Sequence, residues 1–497
     1  MRSRRTSQLL AGAVAVLTAV GCGSTVPLSV QQTGLAGDGL GPAPTASSAA
    51  VAGGTSGALP PTIAGTTTGS GGTSHGPSNA VLPGNVASAA PGGSTSTVGR
   101  NHDPVKVGFF VSQDVGKALA TFGLGGLSSG DGAHQAAAAT ALVNSLGGLD
   151  GHPVKAVVYV NGATTDPNQE ASQEQAACET FFTDNSVVAV VSVLPVDVIS
   201  SCANKHHVPV SVSGISTLSA GDIARFPNVA LPNQIAREHG IDALIPALLR
   251  GGYFRPRSAG EVVKIGLITN GTGAGFVDVP SHVRAALKRQ GLDLTDSATI
   301  STADKASGEA SAAVLQFQAK GINHVIAVDD HGGPMTFFLL AAQSQGYYPR
   351  MGLSSYEIPQ VAAGVFPARQ FQDAVGVGWL PTTDVALTDA DKTVNAPARS
   401  CMTAMTKAGE DMSSSGSRGI ALGVCDSILA LRAAVAGRDV SLSSYLGGLS
   451  ALGRSYRSTL TFSTDFSNRR DGADQVRLLG YDADCTCFHY TGPLFRP

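Results

Sequence analysis

Charge and aromatic rings are both scarce in this chain. Charged residues make up 14% of the 497 and aromatic residues 5%, with a single tryptophan and a formal net charge of -3. That balance argues against the basic, aromatic-studded surface that nucleic-acid binding requires. Beyond the first residues, nothing approaches the run of about 18 apolar residues that would cross a bilayer. There is no HExxH motif, no glycine-rich phosphate loop ending in Lys-Ser or Lys-Thr, and no motif that places a pair of carboxylates. Gly126-Leu127-Ser128-Ser129-Gly130 has the G-x-S-x-G form of a hydrolase elbow, but it lies in a glycine-rich loop and not in a tight strand-to-helix turn. A secreted serine hydrolase using Ser128 is therefore the least favoured reading. The chain reads as a non-enzyme without a metal or cofactor.

The amino terminus sets the compartment. Arg2, Arg4 and Arg5 form a positive segment, Leu9 to Val20 an apolar one, and Gly21-Cys22 places a cysteine behind a small residue. The pattern over 1–22 is that of a lipoprotein signal peptide, with Ala19 where leucine is usual and Cys22 as the lipidated residue. It predicts export and anchoring to the cell membrane through the lipid on Cys22. Residues 23–103 are dominated by Gly, Ser, Thr, Ala and Pro and carry almost no charge. Such a segment cannot bury enough apolar surface to offset its ordering entropy, and it reads as a disordered tether. A flexible chain of about 80 residues spans roughly 50 Å, enough to hold a domain clear of a membrane.

Cysteine count supports export. Seven cysteines, less Cys22, leave an even number, as an oxidising compartment favours. Cys178 and Cys202 sit on successive helices around one strand, and a bridge between them closes a loop of about 25 residues, worth roughly 3 to 4 kcal/mol in the chain-entropy model. Cys401, Cys425, Cys485 and Cys487 allow three pairings. Cys401 with Cys425 is favoured, which leaves Cys485 with Cys487. The rival reading, a metal site at Cys485-Thr486-Cys487-Phe488-His489, lacks a second ligand pair at zinc-like spacing.

From Val105 onward short β-branched runs alternate with amphipathic helices, which predicts a parallel sheet covered on both faces. Strands are expected at Val105 to Val111, Val154 to Val160, Val187 to Val193 and Val208 to Val212. Helices are expected at Ala133 to Leu146 and Asn168 to Phe182, with a further one capped by Asp197. After Pro232 a second set begins: a helix over Ala236 to Leu249, a strand over Val262 to Thr269, and a helix capped by Ser281 over Ser281 to Gln290. A helix over Ser307 to Lys320, a strand over His324 to Val328 and a helix over Met335 to Gln345 follow. Strands over Met351 to Ser354 and Ala374 to Leu380, a helical stretch over Cys401 to Gly437, and late strands over Ser458 to Phe462 and Gln475 to Tyr481 complete the reading. Two similar α/β units imply two lobes with a cleft between them.

VKVGFFVSQ, LGGLDGHPVKAVVYVNGATTDPNQEASQEQAACETFF, VVAVVSVLPVDVISSCANKHHVPVSVSG, VKIGLITNGTGAGF and INHVIAVDD, in that order, resemble the type I periplasmic binding proteins of branched-chain amino acid ABC transporters. The resemblance runs from Val105 to the end of the chain and rests on the order of blocks. It implies two Rossmann-like lobes with parallel sheets joined by three crossovers, near Pro232, Pro381 and Thr459. Lobe 1 would comprise 104–232 and 382–457, and lobe 2 would comprise 233–381 and 458–497. Cys178 and Cys202 would be the first-lobe disulfide of the family. The implied function is a monomeric extracytoplasmic solute-binding lipoprotein that delivers a small polar ligand, an amino acid or a related compound, to an ABC permease. The alternative use of the same fold is a lipid-anchored sensor or cell-envelope interaction module.

In the family, the loops after the third and fourth strands hold the ligand's carboxylate and ammonium, and the second lobe closes with an aromatic residue and an acid. Here the fourth-strand loop offers Ser213, Gly214, Ser216 and Thr217. The third-strand loop has Pro195-Val196-Asp197 where a serine hydroxyl is usual, and Asp197 would repel a ligand carboxylate. The second lobe offers Asp329 and Asp330, with His331 at the aromatic position and Tyr356 or Glu357 at the acid position. Gln113 and Phe122, after the first strand, would line the mouth. Several acids facing one cleft would suit a cationic or polyhydroxylated ligand.

Overall fold

A computed structural model of the chain describes residues 102–497 apart from 115, 117–127, 163–166, 195–196, 214–216, 272–273, 302–304 and 330–331. The signal peptide, Cys22 and the tether up to residue 101 therefore lie outside the described residues.

The first sheet is built from β1 (Val105–Ser112), β2 (Val154–Asn161), β3 (Ala189–Ser192), β4 (Val210–Val212) and β5 (Val229–Ala230), all parallel, in the order β2-β1-β3-β4-β5. Strands β1, β3 and β4 read as near-continuous apolar runs because helices cover both their faces. Those helices are α1 (Gly132–Ser145), α2 (Pro167–Cys178), α3 (Asp197–Lys205) and α4 (Ala220–Arg225). α5 (Arg237–Arg250) then leads into the second sheet.

That sheet takes β6 (Ile265–Asn270), β7 (Leu294–Ile300), β8 (His324–Val328), β9 (Arg350–Ser354) and β10 (Val375–Gly378), with α6 (Val279–Arg289), α7 (Ala306–Lys320) and α8 (Gly333–Ser344) between them. An antiparallel hairpin of β11 (Val476–Asp482) and β12 (Cys487–Phe495) adds to its β10 edge, giving β12-β11-β10-β9-β8-β6-β7. α9 (Ala396–Lys407), α10 (Ser415–Ala434) and α11 (Leu442–Leu452) return to the first unit, where α10 passes β3 and β4. The stretch expected as one helical segment from Cys401 to Gly437 thus breaks between α9 and α10.

Two local expectations are corrected. Ser458 to Phe462 is not a strand: the Ser458 hydroxyl and the Thr459 N–H both donate to Asp426 on α10, which holds the segment as a crossover. α6 begins at Val279, not Ser281, and the Ser281 hydroxyl donates to the Asp278 carbonyl instead of capping the helix. Among the described residues, disulfides join Cys178 to Cys202, Cys401 to Cys425 and Cys485 to Cys487.

The crossovers are tied together by buried polar groups. Asp426 accepts from Asn233 at 2.8 Å on the first crossover, and from Tyr456, Ser458 and Thr459 at 2.8, 2.8 and 2.7 Å on the third. Burial pushes its carboxyl up, and these donors oppose the shift. On the second crossover Trp379 donates its indole N–H to Gln234 at 3.1 Å. Asp384 there accepts from Ser355, Leu380 and Tyr490. Burial pushes Asp384 up to about 7 against those donors.

Candidate functional site

In a parallel sheet the loops beyond the strand carboxyl ends are where ligands collect. On the first unit these are the loops after β1, β3 and β4.

The loop after β3 runs into α3, whose first N–H groups would attract an anion. They are already taken. Val198 and Ile199 donate to Glu174 Oε2 at 2.9 and 3.1 Å, so a carboxylate from α2 caps α3 from outside. Glu174 lies on the buried stripe of α2 that continues through Ala177, Cys178 and Phe181, and is itself 6% exposed. Burial pushes its carboxyl up to about 7, against the pull of the Ile199 and Val198 N–H groups. The expectation that Asp197 caps this helix is corrected: Asp197 is its first residue, is exposed, and pairs outward with Arg225 at 2.8 Å. Pro195 and Val196 lie outside the described residues.

After β4, Ser213 is fully buried and donates its hydroxyl to the Gly423 carbonyl on α10. Gly214 and Ser216 lie outside the described residues. Thr217 is buried, and its hydroxyl accepts from Arg237 Nη2 at 3.2 Å. After β1, Gln113 lines an open groove of about 850 Å³ with Asp114, Asp131, His134, Glu410 and Asp411. Phe122 is outside the described residues. Ser128 donates its hydroxyl to Asp114 at 3.1 Å, on a long connection between β1 and α1 and not in an elbow.

On the second unit, Asp329 accepts from the N–H groups of Gly332 and Met335 at 3.1 and 2.8 Å and so caps α8. Glu357 is fully buried; it accepts from the Asp329 N–H at 3.1 Å and from the Ser354 N–H and hydroxyl. Burial pushes it up to about 8 against those donors. The Tyr356 hydroxyl donates to the Ile235 carbonyl, and its ring meets Trp379 edge-on at 4.8 Å. Gly240 makes room for this: a Cβ there would stand 2.7 Å from the Tyr356 ring. Asp330 and His331 lie outside the described residues.

Sequence reasoning missed the residue that joins the two units. Arg237 opens α5 and is 2% exposed. Nη2 reaches Thr217 after β4, Nη1 donates to the Gly275 carbonyl after β6, and the guanidinium lies 3.6 Å above the Phe276 ring. The carboxyl-end loops of both sheets therefore face each other across one arginine. Its signal was available: Arg237 sits four residues before Ile241 on the apolar stripe Ile241, Leu244, Ile245, Leu248.

No protein-family model matches the chain, and no curated protein matches it. Solved structures do. A solute-binding protein of an ABC transporter from R. palustris in complex with 4-hydroxybenzoate aligns at TM-score 0.58 and 11% identity, covering 79% of this chain and 97% of that one. A possible leucine/isoleucine/valine-binding protein from Rhodopirellula baltica gives 0.55 and 16%, covering 78% and 96%. A branched-chain amino acid ABC transporter protein from Thermus thermophilus with bound valine gives 0.53 and 14%, covering 80% and 98%. At such identities the likeness speaks for the fold. Two mainly parallel sheets, three crossovers and nearly full coverage of those proteins give one architecture: the chain has the type I periplasmic binding protein fold.

Proposed function

We propose that this protein is an extracytoplasmic solute-binding protein that captures a small polar ligand between two lobes and hands it to the permease of an ABC importer. The observation that carries this reading is the meeting of the strand-end loops of both sheets at Arg237. A ligand placed there touches both lobes, and only a ligand that contacts both can favour closure over opening. The lobes are taken as 104–232 with 382–457 and 233–381 with 458–497. The similar proteins named above bind 4-hydroxybenzoate and valine, which fits a small polar ligand. The signal-like residues 1–22, lipidation at Cys22 and a tether over 23–103 would put the monomeric domain outside the cell membrane, within reach of the permease.

The test is calorimetry and thermal denaturation of the exported protein against a metabolite library. One small solute should bind with one-to-one stoichiometry. At a hundredfold excess over Kd it should add about 2.7 kcal/mol of stability, which is a rise of several degrees in Tm for a domain of this size. A silent library, together with tight binding to a partner protein, would replace solute capture with an interaction role.

A further inference from the structure

Arg237 is a buried cation, and no described acid neutralises it. Among the described residues no carboxylate lies within ion-pair distance of it, and its Nε is buried with no hydrogen-bond partner. A guanidinium withdrawn from water costs several kcal/mol unless a counter-charge is supplied. Among the described residues, the nearby acids Asp222, Glu238 and Asp471 are committed elsewhere. Asp222 flanks the same glycine, since a Cβ on Gly275 would stand 3.0 Å from both Arg237 Nη1 and Asp222 Oδ2, yet Asp222 serves Ser219 and Arg225. Glu238 takes the Ala220 N–H. Asp471 caps α5 through the Ala236 N–H and pairs with His239 and Arg469.

Two edges of the guanidinium differ. Nη1 is spent on the Gly275 carbonyl. On the other edge Nε is vacant, and Nη2 makes only contacts of 3.2 and 3.4 Å to Thr217. Nε and Nη2 together are the pair of donors that grips a carboxylate bidentately. The acid that could balance a ligand ammonium from β9, Glu357, is filled by the N–H groups of Asp329 and Ser354. The α3 amino terminus, which could have held an anion instead, is filled by Glu174.

We propose that Arg237 is the anion anchor of the inter-lobe cleft, and that the solute is a small monocarboxylate with net negative charge and no ammonium group. This rests on the solute-binding reading above and names the ligand class for it. The carboxylate docks on the Nε and Nη2 edge. Thr217 and Gly275, one from each lobe, hold the arginine in place for it.

The experiment uses the exported full chain and matched probes: benzoate, 4-hydroxybenzoate, hexanoate and pyruvate, each against its own amide, with leucine, glucose and putrescine as controls. The expected result is that at least one carboxylate binds and its amide does not. Arg237→Gln should weaken that carboxylate roughly 10- to 100-fold, the range of hydrogen bonds to a charged group. Arg237→Lys, which keeps the charge and loses the flat edge, should fall between. Both variants should melt within a few degrees of the wild type, since neither strips a carboxylate of its partner. Equal binding of a carboxylate by wild type and Arg237→Gln would overturn the anchor and leave solute capture standing. Binding by leucine, glucose or putrescine alone would overturn the ligand class, again leaving solute capture standing. Failure of every probe and of the metabolite library would overturn both.

Discussion

Two helix amino termini, those of α3 and α5, stand close to the strand-end loops and treat charge in opposite ways. α3 looks from sequence like an anion collector, but a Glu174 carboxyl oxygen from a neighbouring helix already accepts its first N–H groups. α5 is capped by Asp471 and in addition carries Arg237, for which no described acid is a partner. The difference separates two uses of a buried charge. A charge with partners inside the chain belongs to the architecture, whereas a charge left over is free to act on something that arrives.

If that division is right, the most thoroughly partnered acid should matter most to stability and least to ligand choice. Asp426 is that acid: four donors from two crossovers converge on it. Asp426→Ala removes the acceptor and strands the donors in a dry hinge, so urea denaturation should show a loss of about 3 to 5 kcal/mol. Ligand specificity, measured where the variant is still folded, should not change. A loss below about 1 kcal/mol would break the comparison, because internal partnering would then carry little structural weight.

Much of this arrangement was legible, and the failures share one cause. The buried strands announce themselves: His324–Val328 and Met351–Ser354 are short β-branched or apolar runs inside a covered sheet, and their bounds agree closely with β8 and β9. β7 and β12 did not announce themselves, because LTDSATI and CFHYTGPLF lie at the sheet edges and mix polar with apolar residues. Asp197 was legible as a helix start but not as an outward-facing one. Local propensity places an acid at a helix terminus, and only tertiary packing reveals that Glu174 has taken the N–H groups. Arg237 and Asp426 nevertheless share a signal, a charge set among apolar residues on the inward face of a helix, and Glu174 shows it more weakly, with Glu170 one turn before it. The sequence alone does not say which of them has a partner.

Glu174 offers a second, smaller test through pH. Its folded-state pKa is raised by burial from 4.5 to about 7, so between those values the folded state holds a proton that the unfolded chain has released. Stability from this group is therefore fully present below pH 4.5 and is lost as pH rises toward and through 7. The loss can reach about 3 kcal/mol at 1.36 kcal/mol per pH unit. Glu357 and Asp384 shift in the same direction, so the wild-type profile alone does not isolate Glu174. Glu174→Gln keeps an acceptor oxygen for Val198 and Ile199 and removes the titration. The gap between the two proteins in urea midpoint should thus move in favour of the glutamine variant as pH goes from 4.5 to 7.5. A gap that stays flat would mean that the carboxylate is held ionised by the α3 N–H groups throughout.

The smallest effect is expected at the residue that stood out most in the sequence. Asp197 follows the third strand of the first sheet, at the carboxyl end where ligands collect in such sheets, yet its side chain is exposed and its partner Arg225 is half-exposed. An ion pair of that kind is worth about 0.2 to 1 kcal/mol and is screened by salt. Asp197→Asn should therefore cost less than about 1 kcal/mol in urea denaturation, and the cost should vanish at high salt. Carboxylate affinity should stay within about twofold of wild type, because removing an exposed charge changes little at a site whose cation is buried at Arg237. If affinity for an anionic ligand instead rose about tenfold, equivalent to 1.4 kcal/mol, the Asp197 charge would be acting across the cleft. Arg237 and Asp197 would then have to be treated as one electrostatic site and not as a receptor and a surface pair.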